Sequence, residues 1–182
     1  MTQPNEQKTK KPSNGNAKID TKKLVMISAL IAVAMVLSRL ETMVPIFEGI
    51  LPGYKIGLAN VATVFALYTL GWPYAILVSV LRVLLTFLLF PKIDAFMLSL
   101  AGAVLALVAM ILIKKLCNFS PILVSVAGGL AHNVGQIIVA CFLVKNTVIA
   151  ATIIPLFFIG TVTGVLIGII SGIIIKRLKK FL

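Results

Sequence analysis

Polar residues along this chain are confined to a leading segment and a few short islands. Between them run stretches such as AILVSVLRVLLTFLLF that are apolar on every side. Strands of a membrane barrel would alternate apolar and polar positions, so this pattern predicts helices. A helix crossing a bilayer needs ~20 residues, and the 159 residues after Lys23 hold about six. The breaks set the expected spans: Leu24 to Val44, Ile56 to Leu70, Tyr74 to Phe90, Ile93 to Ile113, Pro121 to Val144 and Thr147 to Ile175. Pro45, the Gly71-Trp72-Pro73 turn, Pro91 and the Lys114–Lys115 pair punctuate them. The second span is short, so its first half is expected to be irregular or tilted. The sixth is long, with Pro155 near its start, and has room to tilt.

Composition agrees. The chain is 60% hydrophobic, against about 45–50% apolar residues in soluble domains. The expected class is an all-α membrane protein, a six-helix bundle over residues 24–182 behind a disordered, basic, cytoplasmic tail over residues 1–23. That tail resembles the basic start of a signal peptide, but Leu24 onward is long enough to span and no small-residue cleavage site follows promptly.

The net charge is +12, which by sign alone would suit nucleic acid. Position argues for a bilayer instead. Twelve of the 17 basic residues lie in Lys8 to Lys23, Lys114–Lys115 and Lys176 to Lys180, all flanking apolar spans. Basic residues gather on cytoplasmic flanks, so both ends are placed in the cytoplasm of a multi-pass protein of the cell membrane. Six spans satisfy all three clusters, whereas five or seven would put Lys176 to Lys180 outside. Cys117 and Cys141 lie in or beside apolar spans, and no CxxC implies a disulfide framework or a redox motif.

One charge stands in the middle of an apolar span: Arg82, with Ser79 and Thr86 on the same helix face. A charge at the bilayer centre costs at least ~2.5–3.5 kcal/mol to insert and is tolerated facing a bundle interior or a cavity. One reading is structural, with Arg82 held by helix-end carbonyls or paired with Glu41 or Asp94. The other is a site-lining arginine, whose planar fork of donors suits a carboxylate or phosphate. In the fifth span, Gly128, His132 and Gln136 recur at intervals of four and Asn133 lies one position round. Each polar group there needs a partner where no water is available. Lys55 and Asn60 open the second span, and Lys55 could alternatively snorkel to the outer boundary. Together Lys55, Asn60, Arg82, His132, Asn133 and Gln136 form the candidate substrate-binding set, lining a cationic cavity open to the outside. Its ligand would be a small anionic or acceptor-rich molecule. Glu41 is read as neutralising Arg39, and Glu48 as part of an external lid.

Gly160, Gly164, Gly168 and Gly172 fall on one face of the sixth span. Such a groove lets another backbone approach closely, either within the chain or from a second subunit. Ser28 and Ala32 mark a weaker small-residue face on the first span. No Walker A motif, no Asp-rich pair for magnesium–diphosphate chemistry and no catalytic triad is legible. One histidine without nearby cysteine or carboxylate cannot fill a metal shell. Catalysis by this chain alone, a metal and a cofactor are therefore not expected.

The runs PGYKIGLAN, LVSVLRVLL, SLAGAVLAL and GGLAHNVGQ, in order over about Lys23 to Lys176, resemble the bacterial membrane family called heptaprenyl diphosphate synthase component I, also described as the Gx transporter family. That family's label implies a non-catalytic membrane partner in polyprenyl diphosphate or quinone synthesis, with a link to flavin–quinone electron transfer. The six short helices also resemble the substrate-binding S components of energy-coupling-factor vitamin transporters. That likeness implies a transmembrane coupling subunit and two ATPases as partners, with the small-residue faces as docking surfaces. The outward position of the polar residues favours transport over synthesis.

Overall fold

The computed structural model describes residues 21–43, 55–117, 119–145 and 153–178, and these contain six helices and no strand. They are α1 (Thr21–Met43), α2 (Asn60–Thr69), α3 (Trp72–Leu89), α4 (Ile93–Cys117), α5 (Pro121–Val144) and α6 (Ile153–Leu178). Five of them are long and apolar enough to cross a bilayer. The chain is a multi-pass, all-α membrane protein. Most of the basic tail and the segment with Glu48 lie outside the described residues.

The expected breaks set the helix ends. Ser120 and Pro121 open α5, Pro73 sits in the first turn of α3, and Pro155 sits in the first turn of α6. Asp94 in the first turn of α4 and Lys114–Lys115 in its last complement the helix dipole. On α1 the buried residues Ile27, Ile31, Ala34, Ser38 and Glu41 make one stripe at helical spacing. The opposite face, with Val25, Val33, Val36 and Leu40, is exposed and suited to lipid.

The second span is the exception. With 10 residues, α2 is about 15 Å long, half of a ~30 Å hydrocarbon core. Lys55 to Ala59 ahead of it is not helical, and Gly57 there has φ +95°. Irregular backbone at membrane depth is tolerated where protein covers it, and Lys55, Gly57 and Ala59 are buried. The short helix touches every other helix, and Ala62 to Leu67 are buried throughout. Its far end is anchored at the Lys114–Lys115 edge. Lys114 donates to the Leu67 carbonyl and lies 4.5 Å from the Tyr68 ring centre. Tyr68 donates to the Phe119 carbonyl, and Lys115 sits over Trp72. Nine residues of helix then lift Asn60 about 13 Å above that edge, to mid-bilayer depth.

The glycine face of α6 packs inside the chain. A Cβ at Gly160 would lie 3.4 Å from the Gly129 carbonyl oxygen. At Gly164 it would lie 2.6 Å from the Val126 Cα, and at Gly168 2.5 Å from the Ile122 Cα. Gly172 has nothing within 4 Å of such an atom, so the close seam stops at Gly168. Ser28 and Ala32 are exposed on α1. Gly168→Ala is therefore expected to destabilise the protein by about 1–3 kcal/mol, the usual cost of overpacking, while Gly172→Ala stays within about 0.5 kcal/mol. Denaturant titration of the two variants in mixed micelles checks this contrast. An apolar cavity of about 150 Å³ lies between α3 and α4, lined among others by Ile76, Ser79, Val83, Ala103 and Leu107.

Candidate functional site

Four helices bring polar side chains to one buried centre at mid-bilayer depth. Arg82 comes from the middle of α3, His132 and Gln136 from the middle of α5, Asn60 from the first turn of α2, and Ser38 and Glu41 from α1. Arg82 is 3% exposed, Asn60 1%, His132 2%, Lys55 5% and Glu41 6%. The centre is thus enclosed. This corrects the expectation of a cavity open to the outside: the first turn of α2 and the Lys55–Ala59 segment fill the bundle interior.

Each expected residue has a distinct position. Arg82 Nη2 donates to Asn60 Oδ1 at 3.2 Å. That bond fixes the amide so that Asn60 Nδ2 faces the other way, where it has no partner among the described residues; Arg82 Nε has none either. His132 is wedged between two glycines. A Cβ at Gly102 would lie 2.7 Å from its Cε1 and Nδ1, and one at Gly57 would lie 3.4 Å from its Cδ2. Neither ring nitrogen has a partner among the described residues, although the Gly102 backbone comes close. Thr63 Oγ1, one turn along α2 from Asn60, is also unpartnered. Buried polar groups in proteins are almost always hydrogen-bonded. Arg82 Nε, Asn60 Nδ2 and Thr63 Oγ1 thus stand without a partner among the described residues.

Lys55 does not snorkel to water. Its backbone N–H donates to Gln136 Oε1 at 2.9 Å, and Gln136 Nε2 donates to its carbonyl at 2.7 Å. This two-point amide clamp pins the broken segment to α5 and makes Gln136 a positioning residue. Lys55 Nζ donates to Ser38 Oγ at 3.1 Å. Gln136→Leu removes both partners of a buried backbone amide and carbonyl. It is expected to cost about 2–4 kcal/mol and to raise amide exchange at Lys55, read by hydrogen–deuterium exchange in micelles.

Two expectations are corrected. Asn133 turns away from the centre: its Nδ2 donates to the Leu156 carbonyl of α6 at 2.7 Å and fills the notch at Gly160. It belongs to the α5–α6 seam. Glu41 does not neutralise Arg39, which is exposed and lies 4.4 Å from the Phe90 ring centre. Glu41 points inward, accepts the Leu58 backbone N–H through Oε1, and lies within electrostatic reach of Arg82 and Lys55. Glu41, which the structural reading of Arg82 offers as its partner, belongs to the centre, and so do Ser38, Gly57 and Gly102, which the sequence does not single out for it. The signal for Glu41 was its helical spacing from Ile27, Ile31, Ala34 and Ser38.

The fold and this centre define a polytopic membrane protein with a cluster of buried polar and ionisable side chains inside its bundle. Residues 30–174 match the profile of heptaprenyl diphosphate synthase component I, and the chain belongs to that family. No curated protein and no solved structure matches the chain.

Proposed function

We propose that this chain is the substrate-binding membrane subunit of a transporter in the cell membrane, holding a small anionic or vitamin-like ligand at mid-bilayer depth. The observation that carries the reading is the pair of unpartnered, buried donors Arg82 Nε and Asn60 Nδ2 beside His132. Broken helices that expose polar groups at the midplane are a recurring device of transporters, and α2 with its irregular lead-in has that form. In this reading a transmembrane coupling subunit and ATPases supply the energy, since the chain itself carries no nucleotide-binding loop. Glu41 to Leu58 and Lys55 to Ser38 tie α1 to the site, so a partner that shifts α1 would open it.

A second reading follows from the family description: a non-catalytic membrane partner of polyprenyl diphosphate synthesis. The diphosphate would then lie near Lys114, Lys115, Lys176 and Arg177, and the prenyl chain along the bundle. Native mass spectrometry of the detergent-purified protein separates the two. The transport reading expects a co-purified small hydrophilic acid. A prenyl diphosphate in its place favours synthesis, and a protein devoid of any small molecule counts against the transport reading.

A further inference from the structure

We infer that the seam between α3 and α4 is a site for one anionic phospholipid, with part of an acyl chain in the apolar cavity and the headgroup phosphate on Lys115. This site is separate from the Arg82 centre and stands or falls without it. Ser79 and Ala103 line the cavity and are small and buried, so the two helices leave a hollow between them. Val80, Val104 and Val108 line it too and are partly exposed, so it opens sideways to the hydrocarbon. An apolar cavity of this size stays dry and takes a benzene-sized hydrocarbon. It therefore fits a few carbons of a chain and no polar group. Left empty, its lining would forfeit van der Waals contacts.

The two ends of the seam differ. Phe87, one turn beyond Val83, and Phe96, one turn before Leu100, hold their ring centres 4.5 Å apart and close it. Toward the other end the same two helix faces run on to a cation and an indole. Trp72 is one turn before Ile76, and Lys115 is two turns beyond Val108. Lys115 Nζ lies 5.0 Å from the Trp72 ring centre. At the helical rise, the stretch from Ile76 to Val83 lies about 6 to 16 Å from Trp72 along α3. That is the depth reached by chains of one leaflet, half of a ~30 Å hydrocarbon core. Lys115 and Trp72 are exposed, as residues at a membrane interface are. Lys114 is turned onto the Leu67 carbonyl, which leaves Lys115 to face a headgroup. Among the described residues the acidic ones are Glu41, near the end of α1, and Asp94, in the first turn of α4. Asp94 lies at the far end of α4 from Lys115, and Glu41 points into the bundle, so neither competes for that ammonium.

The test is native mass spectrometry of the full chain in non-ionic micelles, titrated with dioleoyl phosphatidylglycerol, dioleoyl phosphatidylcholine and farnesyl diphosphate. The wild type should bind one phosphatidylglycerol saturably and at least about fivefold more tightly than phosphatidylcholine, the scale of one basic residue near an anionic surface. Lys115→Gln should bring the two phospholipids to parity, while Lys92→Gln, at the other end of the seam, keeps the preference. Ala103→Leu, which fills the cavity, should weaken both severalfold. Should Ala103→Leu fail to yield monodisperse protein, phosphatidylglycerol with a mid-chain diazirine should label residues 76–83 or 100–108 of the wild type. Equal affinity of the wild type for the two phospholipids would overturn the headgroup assignment. Unchanged binding in Ala103→Leu, or labelling confined to other helices, would overturn the chain assignment. Farnesyl diphosphate bound more tightly than phosphatidylglycerol, and lost in both Ala103→Leu and Lys115→Gln, would give the site to a prenyl chain and overturn the phospholipid.

Discussion

Arg82→Gln is expected to lower affinity for the co-purified ligand by about 100-fold or more, the scale of truncating one partner of a buried, charge-bearing hydrogen bond. Glutamine is shorter than arginine and its amide falls short of the Nη2 position, so the bond to Asn60 Oδ1 is lost together with the charge. It also lacks the second donor, Nε, that has no partner of its own. Arg82→Lys should fall between the two, since an ammonium keeps the charge but not the planar fork. Ligand occupancy by native mass spectrometry, with helix content checked by circular dichroism, measures both variants. Undiminished occupancy in Arg82→Gln would assign Arg82 to structure alone.

The largest loss of stability is expected from Gly135→Val. A Cβ at Gly135 would stand 2.6 Å from the Ala101 carbonyl oxygen, 2.8 Å from its carbon and 3.0 Å from the Gly102 Cα. All three are backbone atoms of α4, which cannot rotate aside as a side chain could. The two helices must separate, and close packing is the main force joining helices in lipid. A cost of about 3 kcal/mol or more follows, at the upper end of overpacking. The separation also moves Gly102 away from His132, so ligand occupancy should fall together with the unfolding midpoint. The same substitution at Gly172, with open space around it, should leave both unchanged.

The long helices were legible because each is written as an uninterrupted apolar run between prolines and lysines. Pro121 and Val144 bound α5 as expected, and α4 runs on from Ile113 only as far as Cys117. The short second span was legible as an oddity, and its half-length is the reason the site sits at the midplane. Less legible was which way each polar residue turns. His132 and Asn133 are neighbours in sequence, yet one faces α2 and α4 and the other faces α6. Two glycine-bearing stripes run along α5, Gly128–His132–Gln136 and Gly129–Asn133. Only the packed structure shows that Gly160 and the Leu156 carbonyl lie opposite the second. Of the two partners the sequence offers Glu41, it is Arg82 and not the nearby Arg39 that it interacts with. Residues two apart on a helix point to different faces, and that rule alone separates the exposed Arg39 from the buried Glu41. For Lys55 the sequence leaves two readings open, lining the site or snorkelling to the outer boundary, and the Gln136 clamp holds it inside.

A cryo-electron microscopy map of the purified full chain, bound to a rigid fiducial and carrying its co-purified ligand, tests the account most directly. Density for that molecule is predicted beside Arg82 Nε, Asn60 Nδ2 and the His132 ring. Ligand density instead in the apolar cavity between α3 and α4, or beside Lys114 and Lys115, with the Arg82 centre empty, would contradict it.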